Sequence, residues 1–178
     1  IIKYSNSFIC LSDPITLMKS CKNNAEINGS RKAHLIDGIA LTKFIHWLEN
    51  EVDGTKNNYT EISLARKLLN FRQRNKDFKG LSFGTISSLG SNGAVIHYQP
   101  EKETDKDLSN NDIYLLDSGG QYKFGTTDVT RTILNKRDKK PKDFNEISNN
   151  YTLVLKGHIA VAASHFKKGE TGKNLDNK

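Results

Sequence analysis

The sequence predicts an α+β domain in which helices lie on one side of a group of neighbouring strands. Two observations support this class. Apolar residues recur every three or four positions before residue 75 and after residue 143, as in helices with one buried face. Between these segments the chain has short runs of β-branched and aromatic residues separated by glycines, as in strands joined by turns. Helices packed on one side of sequential strands fit an α+β layer architecture.

Three helices are predicted before the strands. Ser12 or Asp13 caps a short helix that extends to about Lys22, with Pro14 in the first turn, where its missing N–H costs nothing. A longer helix is predicted from about residue 24 to residue 52. The apolar residues that would form its buried face are Ile27, Ala33, Ile36, Ala40, Phe44 and Leu48.

Thr60 caps the third predicted helix, which extends to about Arg74. Its inward positions are Ile62, Ala65, Leu68 and Leu69. The chain then changes to strand-like patterns, and a final helix and a polar tail follow them. The four predicted strands cover residues 83–86, 94–98, 113–117 and 126–134, and the final helix covers residues 143–166.

Two carboxylates flank a glycine-bearing turn in the middle of the chain. Asp117 and Asp128 are eleven residues apart, and a hairpin with Tyr122 and Lys123 at its tip would place them directly opposite each other. Directly opposed Cβ atoms lie about 4.5–5.5 Å apart on one face, so the two charges would repel. Divalent cations such as Mn or Mg reverse that repulsion, because carboxylate oxygens suit them. The pattern therefore predicts a metal site.

Alternatives to this geometry and to this role stay open. Tyr-Lys is not a favoured two-residue turn, because such turns need positive φ and prefer Gly, Asn or Asp. A bulge or a longer loop that uses Gly119, Gly120 or Gly125 is equally consistent with the sequence. Solvated carboxylates in a turn and at a strand end would also explain the two Asp.

The segment around these carboxylates resembles the catalytic domain of the aminopeptidase P (Xaa-Pro aminopeptidase) family of pita-bread metallopeptidases. The resemblance rests on LLDSGGQYKFGTTDVTRT at residues 115–132 and on LSFGTISSLGSNGAVIHYQP at residues 81–100. The second segment contains a His-Tyr-x-Pro motif twenty residues upstream of Asp117. Shorter segments that resemble the start of the same domain and the helix after the hairpin are residues 12–15, 26–34 and 151–162. Because these segments are spread along the chain, the resemblance extends over nearly the whole of it.

The resemblance implies an α+β pita-bread fold in which two pseudo-symmetric halves enclose two divalent metal ions, with Mn favoured over Zn. Residues 1–178 would form an incomplete catalytic domain, about the first half plus one helix. Two Asp, one His and two Glu hold the ions in the family, and Asp117 and Asp128 match the two Asp. No His-Gly-x-Gly-His segment occurs here, so three of the five ligands would be missing. We therefore expect this piece to be inactive alone.

The resemblance also implies roles for individual residues. Asp117 would bind one or both ions, Asp128 would bridge them, and a bridging hydroxide would attack the peptide carbonyl. His97 corresponds to the histidine that contacts substrate beside the metals, where a neutral imidazole can donate to a developing oxyanion; a core or surface histidine is the alternative. Thr130 would hydrogen-bond a metal-bound water or a carboxylate, although an ordinary strand residue explains it equally well. Tyr98 is expected to pack.

The function implied by the resemblance is metal-dependent release of the N-terminal residue from peptides with proline in the second position. The full-length enzyme is expected to be a homodimer. One alternative is a pita-bread domain that has lost catalysis and binds other proteins; the retained Asp pair and His97 argue against it. Another is a sister enzyme such as prolidase or methionine aminopeptidase, against which the His-Tyr-x-Pro and TTDVTRT segments argue.

Composition limits the partners and the location. The net charge of +7 and pI near 9.3 suggest nucleic acid, but the lysines are scattered, and the one dense run at residues 136–142 fits a solvated loop. No apolar run approaches the ~20 residues that cross a bilayer, and no secretory signal is visible. We expect no nucleic acid, no membrane and a cytoplasmic location. The chain starts at Ile1 without Met, so both ends are expected to be cuts in a longer parent protein.

Overall fold

The first three helices begin where the sequence supplies caps. The computed structural model of the protein describes residues 11–52, 59–108, 113–135 and 143–176. Helix α1 spans Pro14–Ser20, α2 spans Asn24–Asn50 and α3 spans Glu61–Gln73. All three predicted helices are therefore confirmed, with ends that differ by no more than a few residues.

The caps have the geometry that the sequence leads one to expect. Asp13 caps α1. At α2, Asn23 Oδ1 accepts from the Glu26 N–H while Glu26 Oε2 accepts from the Asn23 N–H, both at 2.9 Å. Thr60 and Ser63 form the corresponding reciprocal pair at α3. Such capping boxes satisfy backbone N–H groups that the first helical turn leaves without partners.

Two small antiparallel sheets follow the helices. The first has the order β2-β3-β6, with β2 at Ile86–Leu89, β3 at Ile113–Ser118 and β6 at Val129–Leu134. The second has the order β1-β4-β5, with β1 at Phe78–Leu81, β4 at Gly120–Tyr122 and β5 at Gly125–Thr126. The chain leaves the first sheet directly after β3 and returns to it just before β6.

The strand prediction is confirmed for β3 and is wrong in part elsewhere. The strand predicted at residues 83–86 begins only at Ile86. The strand predicted at residues 126–134 is divided into β5 and β6, because the chain changes sheets at Thr127 and Asp128. Strands β1 and β4 were not predicted.

The strand predicted at residues 94–98 does not form. Gly90–Ala94 form a short 3-10 helix, and the Tyr98 N–H donates to the Val95 carbonyl oxygen at 3.2 Å in the turn that follows. His97 has a φ of 56°, which is incompatible with an extended strand. The β-type residues in this segment therefore lie in a loop, which the contacts of Tyr98 described below hold in place.

Residues 136–178 form a second compact unit, distinct from residues 1–135. Helix α4 spans Phe144–Ala162, four residues shorter at its end than predicted, and α5 spans Gly172–Leu175, where a polar tail was expected. No residue of α4 is buried. In the four described ranges, no helix combines the length and the apolar character needed to cross a membrane.

The main core lies between α2, α3 and one face of the β2-β3-β6 sheet. Its buried apolar residues are Leu41, Phe44, Trp47, Leu48, Val52, Leu64, Leu68, Leu89, Leu108, Tyr114 and Leu116. Burying one large apolar side chain contributes roughly 1.5–3 kcal/mol. Along β3 the buried residues Tyr114, Leu116 and Ser118 alternate with partly exposed ones that include Asp117. Because successive strand residues point to opposite faces, Asp117 lies on the face directed away from the two helices.

A buried ion pair joins α2, α3 and the hairpin. Arg72 Nε donates to Asp37 Oδ1 at 2.7 Å, and Arg72 Nη2 donates to Asp37 Oδ2 at 3.0 Å and to Ser118 Oγ at 3.1 Å. The Tyr122 hydroxyl donates to Asp37 Oδ1 at 2.7 Å. Burial alone would raise the pKa of Asp37, but the hydrogen bonds and charge of Arg72 outweigh it and hold that pKa below its ordinary value. Asp37 is therefore a carboxylate.

We expect Asp37→Asn to lower the free energy of unfolding by about 3–5 kcal/mol, because the Arg72 charge would stay buried without its counter-ion. Urea unfolding measures the change. The pKa of Asp37 is lower in the folded than in the unfolded protein, so ionised Asp37 stabilises the fold above about pH 4. This contribution is lost as the pH falls through the pKa of Asp37 in the folded protein. The difference in the free energy of unfolding between wild type and Asp37→Asn should therefore become smaller in acid.

The matched control is the double variant Asp37→Leu/Arg72→Met, which removes both charges and retains apolar volume. Most of the lost stability should return in this variant. If the double variant loses as much stability as Asp37→Asn, the cause is lost packing and not an unpaired charge.

Candidate metal centre

The hairpin that carries the two predicted ligands has a register different from the predicted one. Lys123 and Phe124 form its two-residue tip, one residue later than expected. Moving the tip by one residue moves every cross-strand partner by two, so Asp117 pairs with Thr130. The prediction that Asp117 lies directly opposite Asp128 is therefore wrong.

The register is fixed by contact between the hairpin tip and α2. A Cβ at Gly125 would lie 3.0 Å from the Ala33 Cβ and 3.0 Å from the Gly29 carbonyl oxygen. A Cβ at Gly29 would lie 2.1 Å from the Phe124 carbonyl oxygen. Lys32 Nζ lies 4.3 Å from the centroid of the Phe124 ring, a cation–π contact. Gly29 and Gly125 permit this close approach of the hairpin tip to α2, which requires Gly125 to lie directly after the tip. The turn preferences of the tip residues alone do not predict this contact.

The two arms of the hairpin approach each other closely at Gly119, Gly120 and Thr127, where the chain passes between the two sheets; we call this contact the crossing. The Thr127 N–H donates to the Gly120 carbonyl oxygen, and the Gly120 N–H donates to Thr127 Oγ1, both at 2.9 Å. Ser82 Oγ donates to the Thr127 carbonyl oxygen at 2.9 Å, and the Ser82 N–H donates to the Gly119 carbonyl oxygen at 3.2 Å. These bonds fix the backbone of the residue that immediately precedes Asp128.

The predicted site residues Asp117 and Thr130 lie on β3 and β6, and Asp128 immediately precedes β6. Thr130 is the direct partner of Asp117, and Asp128 is two residues before Thr130. β6 begins at Val129, so Asp128 lies just outside the ladder, in the segment that connects the two sheets. A regular continuation of β6 would place Asp128 diagonally from Asp117, at roughly 7–8 Å. Asp128 and Thr130 are exposed. Asp128 is therefore not opposite Asp117 and lies next to the end of the β3–β6 pairing.

One atom of Asp117 is conspicuously unsatisfied. Its Oδ1 is buried and has no hydrogen-bond partner in the described part of the chain. A buried polar group without a partner costs about 1–3 kcal/mol, and a charged one costs more. A divalent cation bound to Oδ1 would remove that cost, so the donor chemistry of Asp117 and Asp128 fits a metal ion.

The described residues supply only part of a metal site. Residues 11–52, 59–108, 113–135 and 143–176 contain no group of three or more His, Cys, Asp or Glu that could hold a metal ion. Two carboxylates alone leave a divalent ion without most of its usual ligands. A complete centre would need ligands in addition to Asp117 and Asp128.

His97 lies in an exposed loop formed by residues 95–99, which we term the His97 loop. Its φ of 56° is uncommon for a residue with a Cβ, although His tolerates it better than most. Gln99 Nε2 donates to the Gly84 carbonyl oxygen at 3.1 Å. Gly84 lies two residues before Ile86, the β2 residue that pairs with Asp117. The loop is therefore hydrogen-bonded to the chain that leads into the strand beside Asp117.

Glu61, whose buried carboxylate lies beneath this loop, was not among the predicted site residues. It accepts from the Leu89 N–H at 2.6 Å, from the Tyr98 hydroxyl at 2.6 Å, and from Asn92 and the Lys106 N–H at 3.0–3.3 Å. A Glu in the first turn after a Thr cap is ordinary, because it suits the helix dipole, so the position of Glu61 in the sequence does not indicate burial. The expectation that Tyr98 packs is confirmed: it is 8% exposed.

Comparison with known families gives one clear match. The model of metallopeptidase family M24 matches residues 28–178, which is most of the chain. The matched region contains all four predicted site residues. It also contains the buried ion pair and Glu61.

Two curated relatives illustrate the similarity in sequence. A protein from Podospora anserina, described as a probable Xaa-Pro aminopeptidase P, is 47% identical over 167 residues, or 92% of this chain and 23% of the relative. A Coccidioides posadasii protein with the same description is 45% identical over 163 residues, or 92% of this chain and 26% of the relative. The chain thus spans about a quarter of the length of these relatives.

Solved structures share the fold. An X-prolyl aminopeptidase from Caenorhabditis elegans, described as a cytosolic enzyme with a di-nuclear active site, has a TM-score of 0.78 and 41% identity, covering 92% of this chain and 26% of that one. An X-Pro aminopeptidase from Thermotoga maritima has a TM-score of 0.74, covering 96% of this chain and 44% of that one. At 24% identity the second supports the fold alone.

We expect Gly119→Ala to disturb the crossing and, with it, Asp128. A Cβ at this position would lie 1.9 Å from the Thr127 carbonyl oxygen, which belongs to the backbone and cannot rotate away. Overpacking of this kind costs about 1–3 kcal/mol. Urea unfolding should show that loss. Titration of the parent protein with Mn²⁺ should show weaker Mn²⁺ binding by the variant than by wild type.

Gly38→Ala provides the control for this substitution. Gly38 lies in α2, and a Cβ there would meet no atom within 4 Å, so Ala should leave Mn²⁺ binding unchanged and stabilise the helix by up to about 1 kcal/mol. Wild-type stability and wild-type Mn²⁺ affinity in Gly119→Ala would show that the crossing does not fix Asp128.

Proposed function

This chain belongs to metallopeptidase family M24 and has its pita-bread fold, and from that premise we propose that the parent protein is an Xaa-Pro aminopeptidase. Its reaction is the release of the N-terminal residue from peptides with proline in the second position. Support comes from the curated relatives described as probable Xaa-Pro aminopeptidases P, which are 45% and 47% identical over 92% of the chain.

The observation that carries the proposal is the buried Oδ1 of Asp117, which has no hydrogen-bond partner in the described ranges. A structural carboxylate would be expected to accept from a nearby donor, as Asp37 does from Arg72. We propose that Asp117 and Asp128 bind two divalent ions. The di-nuclear active site of the Caenorhabditis elegans enzyme supports the number, and the oxygen ligands favour Mn over Zn.

Each site residue has a proposed part in the reaction. Divalent ions would lower the pKa of a bound water and stabilise negative charge on the substrate carbonyl oxygen. His97, exposed on its loop, donates a hydrogen bond to that oxygen as charge develops. Thr130 lies directly opposite Asp117. In the proposed site its hydroxyl donates a hydrogen bond to the Asp117 carboxylate or to a nearby water, and so maintains the orientation of Asp117.

The activity is proposed for the parent protein and not for these 178 residues alone. The chain spans about a quarter of the length of its curated relatives, and its described part contains no complete metal cluster. We propose that one His and two Glu from elsewhere in the parent protein complete the centre. A homodimer and a cytoplasmic location belong to the same proposal, and the Caenorhabditis elegans relative, described as cytosolic, supports the location.

We expect Asp128→Ala in the parent protein to abolish binding of the metal pair and to lower turnover of an Xaa-Pro-Xaa tripeptide. The loss should exceed the roughly 10–100-fold effect of removing a group that only supports a ligand. Metal content by mass spectrometry and tripeptide cleavage, after supplementation with Mn²⁺ or Zn²⁺, measure both effects.

The control for this variant is Glu49→Ala, which removes the same charge from the exposed side of α2. Metal content and turnover should equal those of wild type. Normal metal content and turnover in Asp128→Ala would show that Asp128 is not a ligand.

We expect His97→Gly to lower turnover by roughly 10²–10³-fold while the metal content stays near normal, because one donor to the developing oxyanion is lost. Glycine is chosen because it accepts the positive φ of His97, so the backbone need not change. His46→Gln, on the exposed side of α2, tests for a nonspecific effect of losing an imidazole. Loss of metal in His97→Gly would instead identify His97 as a ligand.

The choice of substrates separates the proposal from its alternatives. Cleavage of Xaa-Pro dipeptides in preference to Xaa-Pro-Xaa tripeptides would indicate prolidase activity, and cleavage of peptides that begin with Met would indicate a methionine aminopeptidase. A parent protein with neither metal nor activity after supplementation would be a non-catalytic module that binds other proteins.

A further inference from the structure

A buried carboxylate beneath the His97 loop has no part in the chemistry proposed above. Glu61 is 0% exposed and lies in the first turn of α3. The Leu89 N–H donates to its Oε1 and the Tyr98 hydroxyl donates to its Oε2, each at 2.6 Å. Asn92 Nδ2 lies 3.0 and 3.1 Å from the two oxygens. One carboxylate therefore holds the end of β2, the 3-10 helix and the His97 loop together.

Tyr98 links this carboxylate to His97. Burial and the neighbouring Glu61 carboxylate raise the pKa of the Tyr98 hydroxyl, which therefore keeps its proton and stays a donor. The preceding residue, His97, is exposed, while the Tyr98 ring is buried. The backbone thus changes direction between an outward imidazole and an inward phenol.

The positive φ of His97 needs contacts that maintain it. Such a conformation is disfavoured for a residue with a Cβ and persists only where the surroundings determine it. Side-chain hydrogen bonds hold the two residues that follow His97. The Tyr98 hydroxyl lies 2.6 Å from Glu61 Oε2, 2.9 Å from Asn92 Nδ2 and 3.1 Å from both the carbonyl oxygen and Oγ1 of Thr104, so its shortest contact is with Glu61. Gln99 donates to the Gly84 carbonyl oxygen at an exposed position, whereas Tyr98 donates to Glu61 in the interior, where water competes less.

We propose that Glu61 is a positioning residue for His97: through the Tyr98 hydroxyl, its carboxylate holds the backbone conformation that directs His97 outward. The catalytic consequence rests on the proposed function, because it requires that His97 contact substrate. The holding of the loop depends only on the described residues and is measurable in a protein without activity.

The direct test is Tyr98→Phe in the parent protein, since this substitution removes the hydroxyl and retains the ring. Hydrogen exchange of the peptide that contains residues 95–99 should become at least about tenfold faster, because the loop opens more often. With a Xaa-Pro-Xaa tripeptide, kcat should fall roughly 10–100-fold, since small misplacements of a catalytic group are costly. KM and metal content should stay near the wild-type values.

A double-mutant cycle separates positioning from a general structural effect. In the His97→Gly background, Tyr98→Phe should have no further effect on kcat, because the group that it positions is already absent. Equal loss of kcat in both backgrounds would overturn the proposal. Wild-type exchange of residues 95–99 in Tyr98→Phe would overturn it as well, whether or not the protein is a peptidase.

Two further variants complete the test. Tyr114→Phe is the matched control, since Tyr114 is a buried tyrosine whose hydroxyl lies 2.8 Å from Ser87 Oγ and not at the loop. It should change neither the exchange of residues 95–99 nor kcat, and an equal effect would overturn the proposal. Glu61→Gln has one carbonyl oxygen in place of the two carboxylate oxygens that accept separately from the Leu89 N–H and the Tyr98 hydroxyl, so it loses one of these bonds. It should accelerate the exchange of residues 95–99 and lower kcat, in the same direction as Tyr98→Phe. A parent protein with no metal and no activity would refute the proposed function, and the exchange measurement would still decide whether Glu61 holds the loop.

Discussion

The buried ion pair between Asp37 and Arg72 is the interaction on which the remaining arrangement depends. It joins α2 to α3, and each partner also contacts the hairpin, because Arg72 donates to Ser118 and Asp37 accepts from Tyr122. Those two hairpin residues lie on either side of the close crossing at Gly119 and Gly120. Burying two charges has a large desolvation cost, so the pair is weak evidence of net stability. Its consequence is geometric, since the two Arg72–Asp37 bonds and the bonds to Ser118 and Tyr122 form together in this arrangement of helices and hairpin.

That geometry decides which way the candidate ligand faces. Ser118 is directed toward Arg72 and the helices, and successive residues of a strand point to opposite faces, so Asp117 must point away from the helices. A slip of one residue in β3 would bury Asp117 in the apolar core and break the bond to Arg72 at the same time. The orientation of the candidate ligand Asp117 is thus set by its neighbour Ser118, which has no proposed role in the chemistry.

The features that were predictable from the sequence are those with local causes. Asp13 and Thr60 indicate helix starts because their side chains bond the backbone within three residues, and β3 is visible from its own residues. The hairpin register was mispredicted because the contact of its tip with α2, at Gly29 and Gly125, sets it. The His97 loop was mispredicted as a strand for a similar reason. Its β-type residues are overridden by the contact between Tyr98 and a carboxylate 37 positions earlier in the chain. Neither contact leaves a local pattern in one sequence.

The two halves of the candidate site differ in how rigidly they are held, and this difference follows from their chemistry. Asp117 lies within a paired ladder, and a metal ligand held in one place loses little conformational entropy on binding. Asp117 Oδ1 has no partner in the described chain, and a second carboxylate, Asp128, is only two residues from Thr130, the strand partner of Asp117; both features disfavour the metal-free state. A cation would relieve both, so metal binding should be coupled to stability. In the proposed reaction His97 contacts a substrate that arrives and leaves, and its exposed loop position gives the substrate access. In this loop His97 has a disfavoured positive φ. The buried hydrogen bond between Tyr98 and Glu61 maintains that conformation, which the exposed residues of the loop do not maintain by themselves.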